Sequence, residues 1–218
     1  MISIKYDPTK PREMFNDLVS DDIQREILKS FFEQYSRAHT HCYNTFAKTE
    51  ARDLLPHYRR VCIEDIIPDL ASRIGSCAAE PRKNKAKNCS HRLMIKERII
   101  LTQSKVEQEG TLPRNAEFRK GYAKSPQMVF GFMDEDKASE LENENILYAI
   151  ITHMPAPQEE SLPAFINIVF PDRNYEGIVG PSIKLLDKFP GTIPEIIQEE
   201  AIPEKAEISV KKIDRKTS

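Results

Sequence analysis

The most regular pattern in the chain is a stripe of apolar residues, Ile23, Ile27, Phe31, Tyr35, Ala38, Cys42 and Phe46, at steps of four, four, four, three, four and four. Each residue advances about 100° around an α-helix, so these positions fall on one face. Leu28, Phe32 and His39 widen the stripe, which predicts a core helix rather than a solitary strut. Ser20, Asp21 and Asp22 stand at its start. They supply acceptors for the free first-turn amides and negative charge at the positive end of the helix dipole. Upstream, residues 1–11 read as an extended lead-in, followed by a short helix through Met14, Phe15 and Leu18 with Pro11 in its first turn. Downstream, a second long helical segment is expected from about Thr49 to Ile74, with Tyr58, Cys62, Asp65 and Ile66 on one face and Val61 adjacent. Asp53 is placed as its cap and Pro56 in its first turn, Pro68 as the point where it kinks or restarts, and Gly75 as its C-cap. Two long helices packed antiparallel then make up the N-terminal half.

The period changes in the stretch Asn88 to Val106. Cys89, His91, Leu93 and Ile95 alternate with polar or exposed-type neighbours, and Ile99, Ile100, Leu101 and Thr102 are rich in β-branched residues. That pattern predicts a hairpin turning near Lys96, Glu97 and Arg98. A helix through Ile95, Ile99, Thr102 and Val106 is the competing reading, since the turn has neither Gly nor Asn to supply a positive φ. Residues 76–88 read as a mobile loop and 107–113 as another, with a short helix over 115–123 showing Phe118 and Tyr122. Residues 127–132 read as a strand, and the acidic run 134–144 as a solvated helix or loop. Ile146 to His153 and Ala164 to Phe170 are apolar, β-branched and bounded by prolines, and are expected to pair as a hairpin with a long polar connection. A short element of undecided type spans 183–189, and a disordered tail is expected from Pro190 on, where little could repay the entropy of ordering. The expected class is α+β: a helical N-terminal half, then an antiparallel β-sheet with short helices. Residues 1–75 and 76–189 are expected to pack as one compact domain, with 190–218 as a flexible tail.

Composition narrows the function classes. The chain has 218 residues, 39% apolar and 30% charged, with a formal net charge of −2. It offers no global attraction for nucleic acid or an anionic membrane, so such binding would have to arise from a local patch. No apolar run approaches the roughly 20 residues that span a bilayer, and no signal-like segment is visible in MISIKYDPTK. A cytoplasmic protein without membrane association is therefore expected. Cysteines at 42, 62, 77 and 89 show no C-x-x-C pairing, so buried thiols are expected rather than a zinc site. On a helix the side chains of His39 and His41 point about 200° apart, so they and His57 are not assigned to a metal. No cofactor is expected. With 7 glycines the chain lacks G-x-x-x-x-G-K-[ST], G-x-G-x-x-G, G-x-S-x-G and H-E-x-x-H.

Local charge gives the leading functional reading. Arg82, Lys83, Lys85, Lys87, Arg92, Lys96 and Arg98 face a single acid, Glu97, and Arg114, Arg119, Lys120 and Lys124 continue the excess. Such a cluster neutralises phosphates and releases counterions, and Phe118 and Tyr122 could stack on unpaired bases. A non-enzymatic regulatory protein that binds nucleic acid or an acidic partner through this region is the first expectation. The second is a metal-dependent nuclease. Pro68-Asp69 and Glu135-Asp136-Lys137 resemble the PD and E-x-K pieces of restriction-type nucleases over five residues, with Glu97 or Asp172 as alternative carboxylates. The third is a module that self-associates as a homodimer through its N-terminal helices. Cys89 beside His91 is assigned to a buried pair rather than to nucleophilic catalysis.

Overall fold

In the computed structural model, residues 10–74, 77–83, 89–95, 98–124 and 146–192 are described, those from 80 to 95 by their backbone alone. Helix α1, Pro11–Leu18, carries its proline at the start and buries Met14, Phe15 and Leu18. Helix α2, Asp21–Thr45, is the apolar stripe made solid: Ser20 Oγ accepts from Ile23 N, and Ile27, Phe31, Tyr35, Ala38 and Cys42 are buried. Helix α3, Lys48–Glu64, returns antiparallel along it, as Leu55 and Ala51 packing with Cys42 and Ala38 shows.

The second helical segment differs from expectation at its beginning. α3 starts at Lys48, so Asp53 is not a cap and Pro56 lies inside the helix. Packing of Leu55, Cys62 and Ile63 against α2 overrides the local preference of proline for a first turn. At Asp65 the helix breaks and restarts as α4, Ile66–Arg73, with Pro68 in its first turn. The expected restart is therefore present, and it turns Ile66, Ile67 and Leu70 into the core.

The second half forms one six-stranded sheet in the order β1-β2-β3-β4-β5-β6. Its strands are β1, Cys77–Lys83; β2, Cys89–Ile95; β3, Ile99–Lys105; β4, Leu147–Pro155; β5, Pro163–Val169; and β6, Ile183–Lys184. The hairpin reading of 88–106 holds: β2 pairs antiparallel with β3, Leu93 opposite Leu101 and Ile95 opposite Ile99. β4 and β5 likewise pair antiparallel. Helix α5, Glu117–Lys124, and helix α6, Leu185–Lys188, are the short helices.

Two expectations need correction. Residues 77–83 are a strand, not a loop: β1 pairs along its whole length with β2, Glu80 opposite Arg92 and Pro81 opposite His91. As an edge strand, β1 tolerates a proline that a central strand would not. The sheet is also mixed rather than purely antiparallel, because β3 and β4 run parallel, Ile99 beside Leu147 and Lys105 beside His153. A parallel neighbour requires a crossover, and the chain between these strands, which includes α5, provides it. The expected strand 127–132, the acidic run 134–144, Gly75, and the tail from 193 on lie outside the described residues.

Both faces of the central strands are covered. Ile99, Leu101, Leu147, Ala149, Ile151, Ile166 and Ile168 meet α1, α2, α4 and α6 in one core, joined by the edge-on ring contact of Phe15 with Phe170 at 5.8 Å. Ile100, Tyr148, Ile150 and Val169 form a second layer with Tyr122, Ala123 and Tyr175 on the other face. Burial on both sides explains why β4 reads as an unbroken apolar run instead of an alternating one. No described helix is long and apolar enough to cross a membrane.

Candidate functional site

The parallel pair leaves a crevice. At the carboxyl ends of β3 and β4 the chain departs in two directions, from β3 through residues 106–116 to α5 and from β4 through residues 156–162 back to β5. Adjacent parallel strands with diverging exits leave an opening between them, the usual place for a ligand in sheets of this kind. Here α3 walls it in. Pro56, Arg59, Arg60, Ile63 and Glu64, spaced to share one helical face, line a cleft of about 310 Å³ together with Tyr35, Gln103, Ser104, Lys105, Arg119 and His153. A shallower crevice of about 420 Å³ shares Ser104, Lys105 and Arg119 and extends along the 106–114 loop past Arg114.

The floor is a chain of hydrogen bonds whose direction follows from its end. Gln103 Nε2 donates to Glu64 Oε1 at 2.8 Å, since a carboxylate only accepts. Gln103 therefore presents its oxygen to His153 Nε2 at 3.3 Å, which makes that nitrogen the donor. His153 Nδ1 is then the acceptor, and the Tyr35 hydroxyl donates to it at 2.8 Å. Burial holds the His153 pKa down to about 3, with the positive charges of Arg59 and Lys105 adding to the effect, so the ring is neutral at physiological pH. Burial also raises the Tyr35 pKa, and the phenol stays protonated. Phe31 and Tyr35 pack against the imidazole at centroid distances of 5.1 and 5.8 Å.

The rim is cationic. Arg59 is 5% exposed, lies over the Tyr35 ring with its guanidinium carbon 5.0 Å from the centroid, and donates from Nη2 to the Glu160 carbonyl in the β4–β5 connection at 2.8 Å. Burial lowers its pKa. Arg119 donates to the Arg114 carbonyl and to Ser104 Oγ, each at 2.9 Å, and stacks over Phe118. The Nε atoms of both arginines are buried without a hydrogen-bond partner among the described residues. Arg60 and Lys105 are exposed at the mouth. None of these four cations forms a salt bridge among the described residues, and Glu64 is the carboxylate of the cleft lining.

The basic residues singled out from sequence fall into separate groups. Arg119 lines the cleft and Arg114 the adjoining crevice, where Arg114 makes an exposed 3.7 Å pair with Glu107 that contributes little. Lys120 follows on α5. β1 runs in the same direction as β3, so Arg82 and Lys83, at its end, stand on the same sheet edge as Lys105. Arg92 lies mid-strand opposite Glu80, and Arg98 precedes β3 at the other edge, its carbonyl accepting from Leu147 N. Lys85, Lys87 and Lys96 lie outside the described residues.

Of the two aromatics, Phe118 is 39% exposed, while Tyr122 is buried against Tyr148 with ring centroids 5.4 Å apart. Sequence reasoning passes over Arg59, Arg60, Glu64, Gln103, Lys105 and His153. A signal exists for two of them. Arg59 interrupts the buried α3 stripe of Leu55, Cys62 and Ile63, and His153 falls within the apolar run of β4.

The other chemical candidates have structural surroundings. Asp69 pairs with Arg73 at 2.8 Å, and Glu97, Glu135 and Lys137 lie outside the described residues. Asp172 Oδ1 accepts from Asn174 N and Glu176 N, closing a turn. His41 stacks on Tyr58 and His39 on Tyr43, and Cys42 and Cys62 are buried thiols whose pKa values burial raises. Among the described residues no group of three or more His, Cys, Asp or Glu side chains is placed to hold a metal ion. Comparison of the chain with protein-family models, with curated proteins and with solved structures finds no match.

Proposed function

We propose that the protein is a non-enzymatic nucleic-acid-binding protein that receives the phosphate backbone at the carboxyl edge of its sheet. One observation carries this reading. Arg59, Arg60, Lys105 and Arg119 come from three separate elements to one cleft that holds a single carboxylate, in a chain whose net charge is −2. Local excess against a neutral background is what phosphate recognition needs. Arg114 in the adjoining crevice and the positions of Arg82 and Lys83 at the same end of the sheet extend the positive edge, and Phe118 offers a ring for an unpaired base. The floor residues supply no reactive nucleophile: Tyr35 is protonated and His153 is neutral, and both are spent in the hydrogen-bond chain.

The test is equilibrium binding of the purified chain to single- and double-stranded DNA and RNA over a salt series, with a charge-reversed Arg60→Glu/Lys105→Glu variant alongside. Affinity should fall steeply with salt, and the variant's slope for a single strand should shrink by roughly 0.7 for each phosphate it no longer neutralises. Absence of binding at low salt, or a variant that binds like the wild type, overturns the proposal. Polyglutamate competing as well as nucleic acid would transfer the site to an acidic protein.

A second reading, self-association through the N-terminal helices, draws on Leu54 and Val61, seven residues apart on α3 and 41% and 50% exposed. Sedimentation as a monomer at micromolar concentration removes it.

A further inference from the structure

We infer that the cleft beside α3 is a receptor for a phosphate monoester, the end of a nucleic-acid strand or a free mononucleotide, rather than for a phosphodiester in mid-strand. This rests on the nucleic-acid reading but makes a narrower claim, and three features of the cleft argue for it.

Shape is the first. The cleft ends on Tyr35 and His153, which are 0% and 3% exposed, so it has a closed floor. A diester needs room for chain on both sides of the phosphorus, whereas a monoester presents its terminal oxygens to a dead end.

Charge is the second. Four cations against one carboxylate suit a group carrying close to two negative charges at neutral pH, which a monoester does and a diester does not.

The third is preorganisation. The Arg119 guanidinium is held by its two outer nitrogens on the Arg114 carbonyl and Ser104 Oγ, and Arg59 is held by Nη2 on the Glu160 carbonyl. Both forks are thus fixed before any ligand arrives. Held this way, the two guanidinium charges stay at the cleft wall and need no reordering when an anion enters. Arg60 and Lys105, exposed at the mouth, can close over a bound dianion without rearranging the core.

The experiment compares oligonucleotides of one sequence with 5′-phosphate, 3′-phosphate or hydroxyl ends, together with adenosine monophosphate and inorganic phosphate as competitors, on the full chain and on Arg60→Ala/Lys105→Ala. Both substituted positions are exposed, and an unchanged melting temperature verifies the fold. A phosphorylated end should bind at least about tenfold more tightly than a hydroxyl end, and the variant should lose that preference. Preference for one of the two phosphorylated ends identifies a strand terminus as the ligand. Tight mononucleotide binding that excludes the strands identifies a free nucleotide, and it overturns the nucleic-acid reading while keeping the site. Equal binding of phosphorylated and hydroxyl ends, undisturbed by the monophosphate, overturns the inference while leaving nucleic-acid binding intact. No binding of any of these probes overturns both.

Discussion

Replacing Tyr35 by Phe removes one oxygen from a site that is otherwise unchanged in shape, and the surrounding hydrogen bonds determine the cost to stability. The hydroxyl is buried and donates to His153 Nδ1 at 2.8 Å. That nitrogen must accept, because Nε2 of the same ring donates to Gln103, whose amide is oriented by Glu64. The variant leaves a buried acceptor without its donor, which costs about 1–3 kcal/mol. For a chain of this size each kcal/mol lowers the melting temperature by about 2–4 °C, so a fall of about 2–12 °C is expected. His153→Leu removes the other partner and also strips Gln103 of a donor. In the double variant Tyr35→Phe/His153→Leu neither group is left orphaned by the other. Its loss should therefore be smaller than the sum of the singles, by about 0.5–3 kcal/mol. Urea unfolding with all four proteins at one pH, with equal slopes, measures the coupling. A Tyr35→Phe midpoint equal to the wild type, or strictly additive singles, would refute the directed chain Tyr35 to His153 to Gln103 to Glu64.

The same imidazole predicts a dependence on pH. Its pKa is held at about 3 in the fold against an ordinary 6.5, so between those values the unfolded chain binds the extra proton. Its contribution is complete above pH 6.5 and is lost on acidification towards pH 3, at a limiting slope of about 1.4 kcal/mol per pH unit. Between pH 6 and 5, above the carboxylate range, wild-type stability should fall and that of His153→Gln should stay flatter; equal slopes would show that the ring is solvated. Asp172→Ala deprives two backbone amides of their acceptor beside Tyr175, which sits at φ 59°. It should cost about 1–2 kcal/mol in chemical denaturation, and Asp172→Asn much less, because an amide oxygen still accepts. Ser20→Ala should remove about 0.5–1 kcal/mol from the start of α2, the lower part of the range for N-caps because the bond to Ile23 N is 3.4 Å long. An effect on melting above 5 °C would mean that Ser20 does more than cap.

Much of the fold is legible in the sequence because its signals are local. The α2 stripe, Pro11 at the start of α1 and the restart at Pro68 each depend on residues within a few positions of one another. The β-branched runs of β3, β4 and β5 stand out for the same reason, as does the polar connection between the last two. The features that escape are non-local. β1 has the sequence CAAEPRK, with no alternation and a proline, and it is a strand because β2 gives its backbone partners and an edge forgives Pro81. The start of α3 escapes for a similar reason: Asp53 and Pro56 look like a helix beginning, but the apolar contacts of Ala51 and Leu55 with α2 extend the helix to Lys48.

The site escapes for a cause that can be traced to one step of the topology. Had β4 joined β3 through a hairpin, the two strands would run oppositely and a turn would occupy the edge where Lys105 now lies beside His153. The crossover makes them parallel, sends their continuations apart and opens the crevice, and the break of α3 after Glu64 ends its wall there. Each contributor then reads plausibly as something else in sequence: Arg59 as a helix-face charge, Gln103 and Lys105 as strand ends, His153 as the close of an apolar run. Arg119 stands out in the sequence for belonging to a basic stretch, whereas its place in the cleft comes from α5 packing Tyr122 and Ala123 on the far face of the sheet. Charge counted along the chain identifies an excess but misjudges its location: Arg98 and Arg119 read as one cluster, and the fold sends them to different places, the first to the opposite edge of the sheet and the second to the cleft. Reversing charge at Arg98 should therefore leave anion binding unaffected while reversal at Lys105 should not, a contrast that separates recognition by this cleft from attraction by the basic stretch as a whole.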